Sequence, residues 1–139
     1  GGAGGTNFPA IEHQRYPEGN KELSEWGIPT VLSLLSVVQT VGWGNGVIAS
    51  GGIRSALDVV KAQVLGASAV AMAGNLLQKI QQEGTEETIH FLQRLLNKVL
   101  DFYTLLGCRT FRDLHEARYY LTGETAQAVS WLRKYDQND

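Results

Sequence analysis

The chain has 139 residues, 43% of them hydrophobic and 19% charged, a composition that suits one domain with a packed core and excludes a disordered chain. Acidic residues number 14 against 12 basic ones, for a formal net charge of −2, which excludes the clustered Lys and Arg excess of a nucleic-acid surface. No apolar run approaches the roughly 18 residues that cross a bilayer, and the lone Cys108 cannot form an internal disulfide, so the reading is a cytoplasmic, reducing compartment without membrane or nucleic-acid partners.

The chain opens on Gly1-Gly2-Ala3-Gly4-Gly5-Thr6. A glycine-rich turn normally follows a strand or helix, so this opening is read as the middle of a domain. Residues 1–28 are mostly loop, with Pro17, Gly19 and Asn20 breaking any periodicity. A loop of that length is a lid, a binding loop or a solvated connector.

Pro29 opens a helix, because proline suits the first helical turn. Leu32, Leu35 and Val38 recur at helical spacing. The run Val41-Gly42-Trp43-Gly44-Asn45-Gly46 stops it, since each glycine weakens a helix by roughly 1 kcal/mol.

Val47-Ile48-Ala49-Ser50 is short and apolar, the pattern of a strand buried on both faces. Gly51-Gly52 ends it. A helix follows over about Ser55–Leu65, with Ser55 and Asp58 spaced as a capping box. Ala56, Val59, Val60 and Val64 form its apolar stripe, and Gly66 stands where a helix takes a left-handed terminator. Ala69-Val70-Ala71-Met72 reads as a second buried strand, closed by Ala73-Gly74. Strand, helix and strand make a βαβ unit, hence parallel strands and an α/β fold class.

A short helix is expected over Asn75 to about Gln81. Thr85 then caps a long one, with Ile89, Leu92, Leu95, Leu96, Val99, Tyr103 and Leu106 on the helical period. Thr110 and Asp113 mark a further helix through Leu114 and Tyr119, and Thr125 caps a last one carrying Val129 and Leu132. Cys108 follows Gly107 at a helix end, which favours a packing role over a reactive one.

Candidate chemistry concentrates in the two turns. Amides at a helix start carry partial positive charge and bind phosphate. Gly51, Gly52 and Ile53 form such a turn, and Arg54 adds a charged contact. Ala73 and Gly74 form the next one. Adjacent parallel strands place both at one edge of the sheet, as in (β/α)₈ barrels, where the last two loops and a short extra helix share a phosphate site. Gly4-Gly5-Thr6 is a third candidate for that rim, through the Thr6 hydroxyl. His13, His90 and His115 lack metal-ligand spacing with one another or with Cys108. Trp26, Trp43 and Trp131 read as core, anchor or interface residues.

The order of blocks carries a resemblance. Gly4-Gly5-Thr6-Asn7-Phe8, Ala10-Ile11-Glu12, Trp26-Gly27-Ile28-Pro29-Thr30, Ala49-Ser50-Gly51-Gly52-Ile53-Arg54-Ser55, Leu65-Gly66-Ala67, Met72-Ala73-Gly74 and Gly107-Cys108-Arg109-Thr110 resemble the carboxyl-terminal part of type 2 isopentenyl-diphosphate isomerases. The resemblance spans nearly the whole chain. It implies the carboxyl-terminal part of an FMN-dependent TIM (β/α)₈ barrel with a helical tail. The implied reaction is isomerisation of isopentenyl diphosphate to dimethylallyl diphosphate in isoprenoid biosynthesis. It also implies reduced FMN, NADPH as its reductant, and Mg2+ on the diphosphate of the small-molecule substrate. Carried over by position, Thr6, Gly51, Gly52, Ile53, Arg54, Ala73 and Gly74 would hold the FMN phosphate. Gly1 stands where the family usually has serine, and His13 where asparagine is commoner.

The family's catalytic residues and its magnesium carboxylate belong to an amino-terminal half with no counterpart in this sequence. The expectation is therefore a fragment that is inactive alone, and a homo-oligomer, because a short parallel sheet leaves its edges unpaired. Two other readings stand beside it. One is another FMN or phosphate-binding TIM barrel of the 2-hydroxy-acid oxidase or IMP dehydrogenase type. The other is a non-catalytic assembly remnant.

Overall fold

The computed structural model describes residues 27–135, with Tyr16, Glu18 and Glu22 besides; for 131–135 it describes the backbone alone. The glycine-rich opening, Thr6, His13, Trp26 and the side chains of Trp131 and Leu132 lie outside the described residues.

Helix α1 spans Thr30–Val41, with Pro29 extended just before it (φ −52, ψ 143). Its buried residue is Leu34, with Val31, Leu35 and Val38 packed around the same cluster. The expected stripe on Leu32 is thus displaced toward its neighbours. Gly42, at φ 90, carries the chain out of the helix.

Strand β1 is Ile48–Ser50 and β2 is Ala69–Ala71. They pair in parallel, with Ile48 beside Ala69, Ala49 beside Val70 and Ser50 beside Ala71. Between them runs α2, Ala56–Val64. The βαβ unit is therefore present. Burial on both faces is not: Ala49 is 4% exposed, but Ile48 is 64% exposed. The pleat explains this. Ala49 and Val70 turn toward the helices, while Ile48, Ser50, Ala69 and Ala71 turn to the other face, which no described element covers.

Helix α2 begins with the expected capping box. Asp58 N–H donates to the Ser55 hydroxyl at 3.2 Å, and Ser55 N–H donates back to Asp58 Oδ2 at 2.9 Å. Its end is a Schellman closure: Gly66 N–H reaches Gln63 O at 2.9 Å and Ala67 N–H reaches Ala62 O at 3.0 Å. That closure requires Gly66 at φ 107.

Helix α3 spans Gly74–Leu105 but is broken at Gly84 (φ 85, ψ 175), which divides it into two arms. Thr85 makes no capping bond there; the Thr88 hydroxyl instead donates to Gly84 O at 2.8 Å. The second arm buries Leu95 and Val99 against Ala56, Val59 and Val60 of α2 and against Leu114. Ile89 and Leu96 share the helical period yet are 49% and 62% exposed, so the buried stripe is narrower than the apolar one. Tyr103 ties this arm to α2 by donating to Gln63 Oε1 at 3.2 Å.

Cys108 packs against the same core, as expected. Residues Phe111–Glu116 form a 3₁₀ helix rather than an α-helix through Tyr119. Ala117 turns extended (φ −67, ψ 127) and stops it once Leu114 is fully buried. Trp43 anchors the loop before β1: its indole N–H donates to Val64 O at 3.2 Å, and its ring stacks on Phe111 at 4.6 Å. The last helix, α4, spans Gly123–Tyr135 and buries Val129; it starts ahead of Thr125.

Candidate functional site

The turns after β1 and β2 open on one cavity of about 510 Å³. Its lining includes Gly51, Gly52, Ile53 and Arg54 from the first turn, and Ala73, Gly74 and Asn75 from the second. The residues expected from sequence to converge therefore do so, except Thr6, which lies outside the described residues. Convergence follows from the parallel register: Ser50 beside Ala71 puts both strand ends level.

The direction of the backbone groups decides what the cavity can hold. Thr30 Oγ1 donates to Gly51 O at 3.0 Å. A trans peptide points its N–H opposite to its C=O, so the Gly52 N–H of the same peptide is directed away from Thr30. Gly52 sits at φ 73, a conformation that an L side chain reaches only at a cost of roughly 1–2 kcal/mol. The N–H groups of Gly52 and Ile53 donate to no group among the described residues.

Further along the turn the amides are already engaged. Arg54 N–H, Ser55 N–H and the Ser55 hydroxyl all donate to Asp58 Oδ2, at 3.1, 2.9 and 2.8 Å. Burial pushes the Asp58 carboxyl up. The bonds from the Ser55 hydroxyl and the two amides outweigh that, helped by the Lys61 charge, and hold it below the usual carboxylate range. The start of α2 is thus neutralised by its own carboxylate.

The start of α3 is not. Ala73 is its N-cap and has no side chain able to accept a hydrogen bond, so the cap is empty. The first amides of a helix have no partner inside it, which leaves those of Gly74, Asn75 and Leu76 open. A Cβ built on Gly74 meets nothing within 4 Å. Asn75 Nδ2 reaches Arg54 O at 3.5 Å and spans the two turns.

Among the described lining residues Arg54 is the one cation, and none of them is a carboxylate, histidine or thiol. Open amides, an uncapped helix and an arginine suit a phosphate-sized anion. They supply no acid–base pair or nucleophile. A phosphorylated cofactor such as FMN fits this cavity by its phosphate.

A family model described as FMN-dependent dehydrogenase matches residues 24–121. The chain belongs to the FMN-dependent dehydrogenase family. Within that family it is similar to proteins named isopentenyl-diphosphate delta-isomerase. The one from Lacticaseibacillus casei is 42% identical over 125 residues, covering 89% of this chain and 36% of that protein. The one from Nocardia farcinica is 40% identical over 137 residues, covering 98% and 37%. The one from Limosilactobacillus reuteri is 44% identical over 124 residues, covering 86% and 35%. This member of the FMN-dependent dehydrogenase family thus spans little more than a third of the length of these relatives.

Asp58 was legible as half of the capping box, but the parts played by Thr30, Asn75 and Gln78 were not. Thr30 orients the Gly51–Gly52 peptide, Asn75 reaches across to Arg54 O, and Gln78 lines the cavity. A signal existed for Gln78, since three residues after Asn75 is one helical turn on the same face. None existed for Thr30, whose partner is 21 residues away.

Proposed function

We propose that this chain forms the phosphate-holding, carboxyl-terminal part of an FMN-dependent (β/α)₈ barrel. That barrel would isomerise isopentenyl diphosphate to dimethylallyl diphosphate. The observation that carries the proposal is the uncapped start of α3 facing the Gly51–Arg54 turn across one cavity. Family membership and relatives named as isomerases at about 40% identity support it.

In this reading Gly52 and Ile53 amides, the first amides of α3 and the Arg54 guanidinium bind the FMN phosphate, with Gly51, Ala73 and Gly74 shaping the space and Thr6 completing the rim. Bound there, the reduced cofactor would supply the proton transfer that moves the double bond, without net oxidation. The residues of this chain hold and orient; they do not move the proton. The 139 residues span little more than a third of the length of the relatives named as isomerases. The 139 residues alone are therefore expected to bind phosphate without isomerising. Mg2+ on the substrate diphosphate, NADPH as reductant, a homo-oligomer and a cytoplasmic setting complete the proposal; no residue described here is assigned to them.

The test is a fluorescence titration of FMN with this chain and with Arg54→Ala. Saturable quenching is expected, weakened about tenfold or more in the variant, as for a lost hydrogen bond to a charged group. Equal affinity in both proteins, or no saturation in either, contradicts the proposal.

A further inference from the structure

The first arm of α3 carries the open amides, yet a backbone break at Gly84 separates it from the arm that packs in the core. Gly84 has φ 85 and ψ 175, a region that glycine almost alone occupies. Nothing lies within 4 Å of a Cβ built there, so no packing forces the break. Leu77 and Ile80 on the first arm are 59% and 46% exposed. The arm that presents the amides is thus weakly held by apolar burial, and its orientation has to come from somewhere else.

One side chain spans the break. Lys79 Nζ donates to both carboxylate oxygens of Glu83 at 2.7 Å, and it lies 5.1 Å from the centroid of the Phe91 ring on the second arm. The Lys79 side chain is only 19% exposed, although lysine normally extends into water. Phe91 in turn packs against the core cluster of Leu95, Val99 and Val60. A chain of contact therefore runs from the core through Phe91 and Lys79 to the first arm. Lys79 does not line the cavity.

We infer that Lys79 and Phe91 are positioning residues for the phosphate site: their contact across Gly84 fixes the angle at which the start of α3 meets the Gly51–Arg54 turn. The inference rests on the phosphate reading proposed above and extends it to two residues outside the cavity. Glu83 closes the contact by holding the ammonium over the ring. An ammonium–ring contact shielded from solvent favours the latched arrangement by a factor of roughly five to thirty, enough to bias the orientation of a ten-residue arm otherwise tied to the first turn by the long Asn75 bond to Arg54 O.

The test is an FMN titration of the full chain with Lys79→Gln, Lys79→Arg, Phe91→Leu and the double variant Lys79→Gln/Phe91→Leu, with Arg54→Ala alongside. Far-UV circular dichroism checks the fold of each. Lys79→Gln and Phe91→Leu are expected to weaken FMN about fivefold each. Lys79→Arg should restore affinity, because guanidinium also sits over an aromatic face. The double variant should be no weaker than the worse single one, since both break the same contact. If Arg54→Ala weakens binding but Lys79→Gln and Phe91→Leu bind like the parent, the latch is overturned and the phosphate site stands. Additive losses in the double variant, or no rescue by Lys79→Arg, also overturn the latch. If the parent does not bind FMN at all, the phosphate reading falls and the latch falls with it. Should Phe91→Leu lose its fold, the comparison of Lys79→Gln with Lys79→Arg decides alone, because neither changes the apolar core.

Discussion

Replacing Gly66 by alanine should destabilise the protein by about 1–4.5 kcal/mol, the net of three contributions. A left-handed backbone costs an L residue roughly 1–2 kcal/mol, and Gly66 lies at φ 107. The added methyl would sit 2.7 Å from Val38 Cγ1 and 3.0 Å from Trp43 Cδ1. Neither can retreat easily: Val38 packs in the cluster around Leu34, and Trp43 is stacked on Phe111 and bonded to Val64. Overpacking of this kind costs roughly 1–3 kcal/mol. Reduced freedom of the unfolded chain returns roughly 0.4–1 kcal/mol. Urea unfolding followed by circular dichroism measures the result. With a slope of roughly 2 kcal/mol per molar, the midpoint should fall by about 0.5–2 M at unchanged slope. A shift below about 0.2 M would refute the reasoning, and with it the claim that the Schellman closure at Gly66 locks α1, α2 and the Trp43 loop together.

Gly74→Ala is the counterpart. Its Cβ meets nothing and its φ is ordinary, so stability should hold or rise by up to about 1 kcal/mol; FMN affinity should nonetheless fall several-fold, because Gly74 lines the cavity. Parallel urea and FMN titrations of one sample check both halves. Asp58 supplies a pH prediction. Its folded pKa is lowered from 3.8, so its stabilisation is complete above that value and is lost as pH falls through the folded one. The stability gap between the parent and Asp58→Asn should therefore be present near neutrality and close below about pH 4; a gap that widens in acid would contradict the cap geometry.

The sequence reading succeeded where a local signal had one physical cause. Ser55 and Asp58 at cap spacing, Gly66 as terminator, and glycine turns after two apolar runs all stand in the structure as expected. It failed where a neighbour decides the outcome. Ile48 looked buried because it is apolar, but its face of the two-stranded sheet has no described cover. Thr85 had the right chemistry for a cap, yet it makes no capping bond beside the Gly84 break, and the hydroxyl bond there is Thr88 donating to Gly84 O. The 3₁₀ helix at Phe111 ended early because burying Leu114 needed only a short turn. At the site, the convergence of the two turns was legible from the glycines; that Asp58 also takes the Arg54 amide while Ala73 leaves the start of α3 uncapped was not, since it depends on side-chain direction rather than on residue type.

The most direct measurement is an amide-resolved NMR titration of the chain with inorganic phosphate. Resonances of Gly52, Ile53, Gly74, Asn75 and Leu76 should move together with a single affinity, while Ser55, bound to Asp58, moves much less. Shifts confined to one turn, or scattered over surface lysines with neither turn affected, would contradict the shared phosphate site.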